Sequence, residues 1–162
     1  MTLQQRLESY RRNRNCTLLG VGPMSKNCVD ASIELAEQYK TPLMLIASRR
    51  QIDSEQFGGG YVENWSTRQF ADYVRSKDIN KNIILARDHG GPWQNELEKS
   101  QNMNLKDAMQ SAKDSYRADI DAGFHMLHID PSVDIHSQPN IDQILERVYE
   151  LYDFCWSYAQ KK

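Results

Sequence analysis

Nothing in this 162-residue chain is extreme, and each shortage excludes something. It has no apolar run long enough to span a bilayer and no apolar leader at its start, so we expect a cytoplasmic protein with no membrane partner. Its formal net charge is −2, too little positive field for a nucleic-acid binder. The one basic cluster, Arg11, Arg12 and Arg14, reads as a solvated helix end. The three cysteines, Cys16, Cys28 and Cys155, form no CxxC pair, which argues against a disulfide framework and for a reducing compartment. Cys16 opens an apolar strand and Cys155 sits on an amphipathic helix, so both read as packing residues. Low-complexity segments are missing too, as are the Walker and dinucleotide fingerprints.

What is present is a regular alternation. Residues 2–14 read as a helix, capped by Thr2 and carrying Leu3, Leu7 and Tyr10 on one face. Residues 17–23 read as a buried strand stopped by glycine and proline. Ser25 caps a helix with Val29, Ile33, Ala36 and Tyr39 at helical spacing. Residues 42–47 form a continuous apolar strand, the mark of burial on both faces in a parallel sheet. Ser66 to Gln69 is a capping box, opening a helix that turns Phe70, Tyr73 and Val74 inward. Residues 82–86 make the third strand. The helix from Leu105 packs Leu105, Ala108, Met109, Ala112, Tyr116 and Ile120, and Gly123 supplies its left-handed stop. Residues 124–130 make the fourth strand, and the last helix carries Ile141, Ile144, Leu145, Val148, Leu151, Tyr152 and Cys155.

Strand and helix thus alternate four times after an N-terminal helix, which implies right-handed parallel crossovers. The fold class is α/β: a single domain over 1–162, with an N-terminal helix over 1–15 and β/α units over 16–162. A closed barrel takes eight such units and roughly 250 residues, so we read the N-terminal half of a TIM (β/α)8 barrel. A small open sheet and two paired half-barrels are the other ways to build it. Helix-to-strand links are short, while most strand-to-helix links are long, polar and rich in glycine. In parallel α/β folds, chemistry sits on that side, at the carboxyl ends of the strands.

Two strands deliver candidate groups there. Ile83 to Pro92 runs from an apolar strand into Asp88-His89 and a Gly90-Gly91-Pro92 breaker. Neighbours in a strand point to opposite faces, so both side chains reach one pocket only where the chain turns. Asp88 reads as a proton donor or acceptor and His89 as a ligand to a divalent metal. Their bland alternatives are a loop cap and a surface histidine. His128 and Asp130, two apart, share a face. We assign His128 to the metal and Asp130 to proton transfer; a hydrogen-bonded core histidine and a turn starter are the alternatives. His125 should pack against a helix, and His136 can swing inward from the next loop. Arg49 and Arg50 are natural anion partners after the second strand, unless they serve structural ion pairs. With Gln51 they are the candidate substrate-binding residues, together with Gly58 and Gly59, whose amides can approach a phosphate. A flexible lid explains the glycine run equally well.

These segments follow one another in a telling order: Ala47-Ser48, Gln51-Ile52-Asp53, Gln56-Phe57-Gly58-Gly59, Asp88-His89-Gly90-Gly91-Pro92, and Ala122-Gly123-Phe124 to His128-Ile129-Asp130. Over residues 16–135 the chain resembles the accessory, non-catalytic subunit of class II tagatose-bisphosphate aldolase, within the class II superfamily of zinc-dependent TIM barrels. The resemblance implies that Asp88 matches the acid/base and His89 a zinc ligand. It implies a sugar-phosphate ligand, and either self-association or a catalytic aldolase subunit as partner. The superfamily's other zinc histidines and main phosphate loops lie in the barrel's second half, so the zinc site should be incomplete here. Arg49-Arg50 departs from the smaller polar residues usual in accessory subunits. A metal-dependent sugar epimerase and a non-enzymatic assembly subunit are the competing readings.

Overall fold

The computed structural model describes residues 3–13 and 17–162. The expected cap Thr2 and packing residue Cys16 lie outside the described residues. Strands β1 (Gly20–Val21), β2 (Leu43–Ser48), β3 (Ile83–Gly90) and β4 (Met126–Ile129) form one parallel sheet in the order β1-β2-β3-β4. The helices are α1 (Leu3–Asn13), α2 (Lys26–Tyr39), α3 (Thr67–Lys77), a short α4 (Glu96–Ser100), α5 (Leu105–Asp121) and α6 (Ile141–Ala159).

Spatial order equals chain order, and this decides the architecture. Right-handed crossovers that always step in one direction place their helices on one face of the sheet. Accordingly α2 packs on α3, α3 on α5, and α5 on α6. A doubly wound sheet reverses its strand order and carries helices on both faces. The α/β fold seen here is that of the N-terminal half of a TIM barrel.

The strand alternation then sorts the residues. Leu43, Leu45 and Ala47 of β2 and Ile83 and Leu85 of β3 join the helix-side core with Val29, Ile33, Phe70 and Val74. Met44, Ile46, Ile84 and Ala86 have the opposite parity and line the other face, where α1 borders Met126, and which ends in Ser48 and Asp88, paired in register. A second cluster, around Met109, Tyr116, Leu151 and Cys155, packs Leu127 and Ile129 of β4 beneath α5 and α6. Outside these clusters α6 leaves an exposed stripe of Ile141, Leu145, Tyr149, Tyr152 and Trp156.

The expected caps form. The Ser25 side chain accepts from the Cys28 N–H, and Ser66 and Gln69 make a reciprocal capping box. Each such cap stabilises a helix by about 1 kcal/mol. Gly123 takes the left-handed conformation at φ 71° after α5. The first strand differs from expectation: it spans only Gly20–Val21, and Leu19 is 62% exposed. As an edge strand it has a single neighbour to pair with.

One buried hub fixes the far end of β3. Arg87 lies within the helix-side core and uses its whole guanidinium. Nε and Nη2 donate to Asp119 of α5 at 2.8 and 2.5 Å. Nη1 donates to the carbonyls of Ala47 and Ile52 at 2.9 and 2.6 Å, and Nη2 reaches Thr67 Oγ1 at 3.5 Å. Burial disfavours its charge, but the Asp119 carboxylate more than restores it and raises its pKa. The residue before Asp88 is therefore tied to β2, to the loop after it, to α3 and to α5.

Candidate functional site

Asp88 and His89 project together because the sheet is irregular just there. Arg87 pairs with Leu127 and Gly90 with Ile129, so β3 uses three steps where β4 uses two. The extra residue is a β-bulge, which re-aims side chains that would otherwise alternate. His89 absorbs the distortion at φ 45°, in the left-handed region. The two glycines after it are needed for close passage. A Cβ on Gly90 would fall on the Tyr116 ring, and one on Gly91 would stand 2.1 Å from the Asp130 carbonyl oxygen. The Tyr116 hydroxyl donates to the Gly90 carbonyl and lies 3.1 Å from that of His128, clamping the two strand ends.

The result is a tight group of donors. Asp88 Oδ1 lies 3.6 Å from His128 Nδ1 and 3.8 Å from His89 Nε2. One ligand atom from each of Asp88, His89 and His128 falls within 4.8 Å of the others. The other nitrogen of His89, Nδ1, meets Asp130 Oδ2 at 2.6 Å. A carboxylate only accepts, so Nδ1 carries the proton, and in the neutral ring Nε2, on the Asp88 side, is the nitrogen left with a lone pair. That hydrogen bond raises the His89 pKa. Burial alone would raise Asp130, but hydrogen bonds from His89 and Ser132 outweigh it and hold the carboxyl below its ordinary value. Gln94 Nε2 adds a contact to the same carboxylate at 3.3 Å.

These donors suit a divalent metal. Two imidazole nitrogens and a carboxylate oxygen are a zinc-type set, and three protein ligands with an open side is the pattern of catalytic sites. Tetrahedral ligands at zinc distances stand about 3.3 Å apart, against 3.6 and 3.8 Å from Asp88 Oδ1 to His128 and His89. His89 is also oriented through its second nitrogen by a carboxylate, as metal-bound histidines commonly are.

The other predicted residues divide. Arg50 and Gln51 line an open cleft of about 510 Å³ together with Ser48, Asp88, His89, Gln94 and Lys99. Gln51 Oε1 accepts from the Ser48 N–H at 2.9 Å, fixing the end of β2. Arg49 turns the other way and corrects the expectation of a substrate contact. It is fully buried, with Nε 3.0 Å from Asp53 Oδ2 and Nη1 2.6 Å from Glu98 Oε1, and it donates to the Gly91 carbonyl at 2.8 Å. Gly58 and Gly59 stand apart from the cleft. Their N–H groups bond the Glu55 and Ser54 carbonyls within the turn, and neither residue lines the cleft. His125 is exposed, and its Nδ1 accepts from the Leu85 N–H at 3.0 Å, so its side chain bonds to β3. His136 Nε2 sits 2.7 Å from the Met103 carbonyl, away from the group. Gln94, Lys99 and Tyr116 escaped sequence reasoning. The first two lie in or beside a five-residue helix too short for periodicity, inside a segment that reads as loop.

Among solved structures, the chain is similar to the crystal structure of a probable tagatose 6 phosphate kinase from Sinorhizobium meliloti 1021. The TM-score is 0.65 at 22% identity, over 80% of this chain and 33% of that one. The chain therefore spans about a third of that protein's length, and the likeness speaks for the fold. Residues 3–160 match the family described as D-tagatose-1,6-bisphosphate aldolase subunit GatZ/KbaZ-like, and the chain belongs to that family.

Proposed function

We propose that this chain is a component of a tagatose-bisphosphate-type aldolase and contributes one half of a metal-assisted site for a ketose phosphate. The observation that carries the reading is the convergence of Asp88, His89 and His128 at the ends of β3 and β4, within 4.8 Å of one another. His89 Nε2 and His128 would hold a divalent metal, zinc being the natural fit, with the Asp88 carboxylate beside it. Such an ion supplies Lewis-acid polarisation of a substrate oxygen.

The protein's own groups have separate tasks in this reading. Asp88, a third exposed at the cleft, moves the proton at the carbon or oxygen being uncovered by aldol cleavage. Asp130 was expected to transfer protons. Its carboxylate is engaged by His89, Ser132 and Gln94, so we assign it to holding His89 in one tautomer. Gln51 and Ser48 shape the adjoining wall. The open side of the donor group is completed by a second chain, either another copy or a catalytic aldolase subunit.

The test is the divalent metal content per chain, by elemental mass spectrometry, of the purified protein and of His89→Ala. Near-stoichiometric metal that disappears in the variant is the expected result. Equal metal in both proteins, or none in either, refutes the metal centre. A purely supporting subunit predicts something else: activity that appears on mixing with a catalytic chain and is indifferent to Asp88→Asn.

A further inference from the structure

The cleft has a cationic edge that the chemistry above leaves unused. Arg50, in the turn after β2, and Lys99, on α4, reach the rim from different elements. Both face the same atom, Oε1 of Glu96: Arg50 Nη2 in a short ion pair and Lys99 Nζ at 4.0 Å. The Glu96 side chain is 65% exposed and Arg50's is 53%. A carboxylate so exposed, between two cations from separate segments, is a weakly held and replaceable anion.

We propose that Arg50 and Lys99 form a phosphate-monoester subsite at the rim of the cleft, with Glu96 as its built-in competitor. This rests on the reading that the cleft takes a sugar phosphate. A phosphate monoester carries close to two negative charges at neutral pH and three acceptor oxygens, against one charge on a carboxylate. It can take Arg50 in fork geometry while Lys99 serves as a point charge. Farther in, the Asp88 carboxylate repels a dianion. The phosphate therefore belongs at the rim, with the carbon chain of its ester directed toward Asp88 and His89. The 510 Å³ cleft has room for that chain as well as the phosphate.

The experiment is a titration of inorganic phosphate into the full chain at low ionic strength, followed by phosphorus NMR. Glu96→Gln should bind phosphate roughly two- to fivefold more tightly, the range that loss of an exposed competing ion pair allows. Arg50→Gln and Lys99→Gln should each weaken binding. Lys113→Gln, which removes a cation paired with Glu150 on the α5–α6 face, should leave it unchanged. Unchanged or weaker binding in Glu96→Gln overturns the proposal. So does a loss in Lys113→Gln as large as that in Arg50→Gln, which would mean a diffuse charge effect. The outcomes separate from those of the metal test. Phosphate binding that follows Arg50, Lys99 and Glu96 in a metal-free protein refutes the metal centre and keeps the subsite. Bound metal, with phosphate binding blind to Glu96→Gln, does the reverse.

Discussion

Replacing Arg87 by methionine tests how the end of β3 is held. Methionine keeps the apolar length of the stem and removes every donor. Asp119, fully buried, then has no cation opposite it, and the Ala47 and Ile52 carbonyls lose their partner at Nη1. Breaking a buried ion pair from one side typically costs about 3–5 kcal/mol, because the remaining charge stays out of water. For a domain of this length that is a fall in Tm of about 6–20 °C. The assay is urea unfolding followed by circular dichroism, run on wild type, Arg87→Met, Asp119→Leu and the double variant. The double variant should be at least about 1 kcal/mol more stable than additivity predicts, since it removes the stranded charge along with its partner. A loss below about 1 kcal/mol in Arg87→Met, or strict additivity in the cycle, would refute the hub as what holds Asp88 in place.

Three further outcomes follow from the same geometry. Gly91→Ala should lose about 1–3 kcal/mol by urea unfolding, because its Cβ meets the Asp130 carbonyl at 2.1 Å, whereas Gly22→Ala, facing the flexible end of Gln51 at 3.3 Å, should lose much less. The His89–Asp130 contact has a pH window in metal-free protein. Asp130, lowered on folding, adds stability above its unfolded value near 3.9 that is lost as pH falls through its folded value; His89, raised on folding, adds stability below about 6.5 that is lost as pH rises through its folded value. Wild type should therefore exceed Asp130→Asn in stability by more at pH 5 than at pH 8, and by only about 0.5–1 kcal/mol given the exposure of His89; equal differences at the two pH values would dismiss the contact. Burial, with the Asp119 charge nearby, pushes the Cys155 thiol up to about 12, so iodoacetamide at pH 8 should label half-buried Cys28 in the folded protein and Cys155 only after unfolding, as read by peptide mass spectrometry.

Much of the site was legible in the chain because its signals are local. The apolar runs at 42–47 and 82–86, the Ser66–Gln69 box and the stop at Gly123 depend on neighbours in sequence, and they place β2, β3, the start of α3 and the end of α5. The long polar links after those strands identified the side on which Asp88, His89, His128 and Asp130 gather. The Gly90-Gly91 pair read as a breaker where the chain turns, and the close passage beside Tyr116 and Asp130 shows only in the fold.

Tertiary structure alone decided the rest. Arg49 and Arg50 are adjacent and chemically alike, yet one is buried against Asp53 and Glu98 and the other stands at the cleft. Asp53 is four positions from Arg49, but the other partners that separate the two arginines come from α4 and the loop before it, a segment without periodicity. Gly58 and Gly59 read equally well as a phosphate approach or a flexible lid, and only the fold shows their N–H groups bonded within the turn. The bulge that turns Asp88 and His89 toward the same mouth depends on β3 and β4 pairing out of step by one residue, and Arg87 finds Asp119 at a separation of 32 positions. A sequence determines its local propensities and the parity of its strands; register between strands and the pairing of distant charges are fixed only when the elements pack, because only then do those groups share a neighbourhood from which water is excluded.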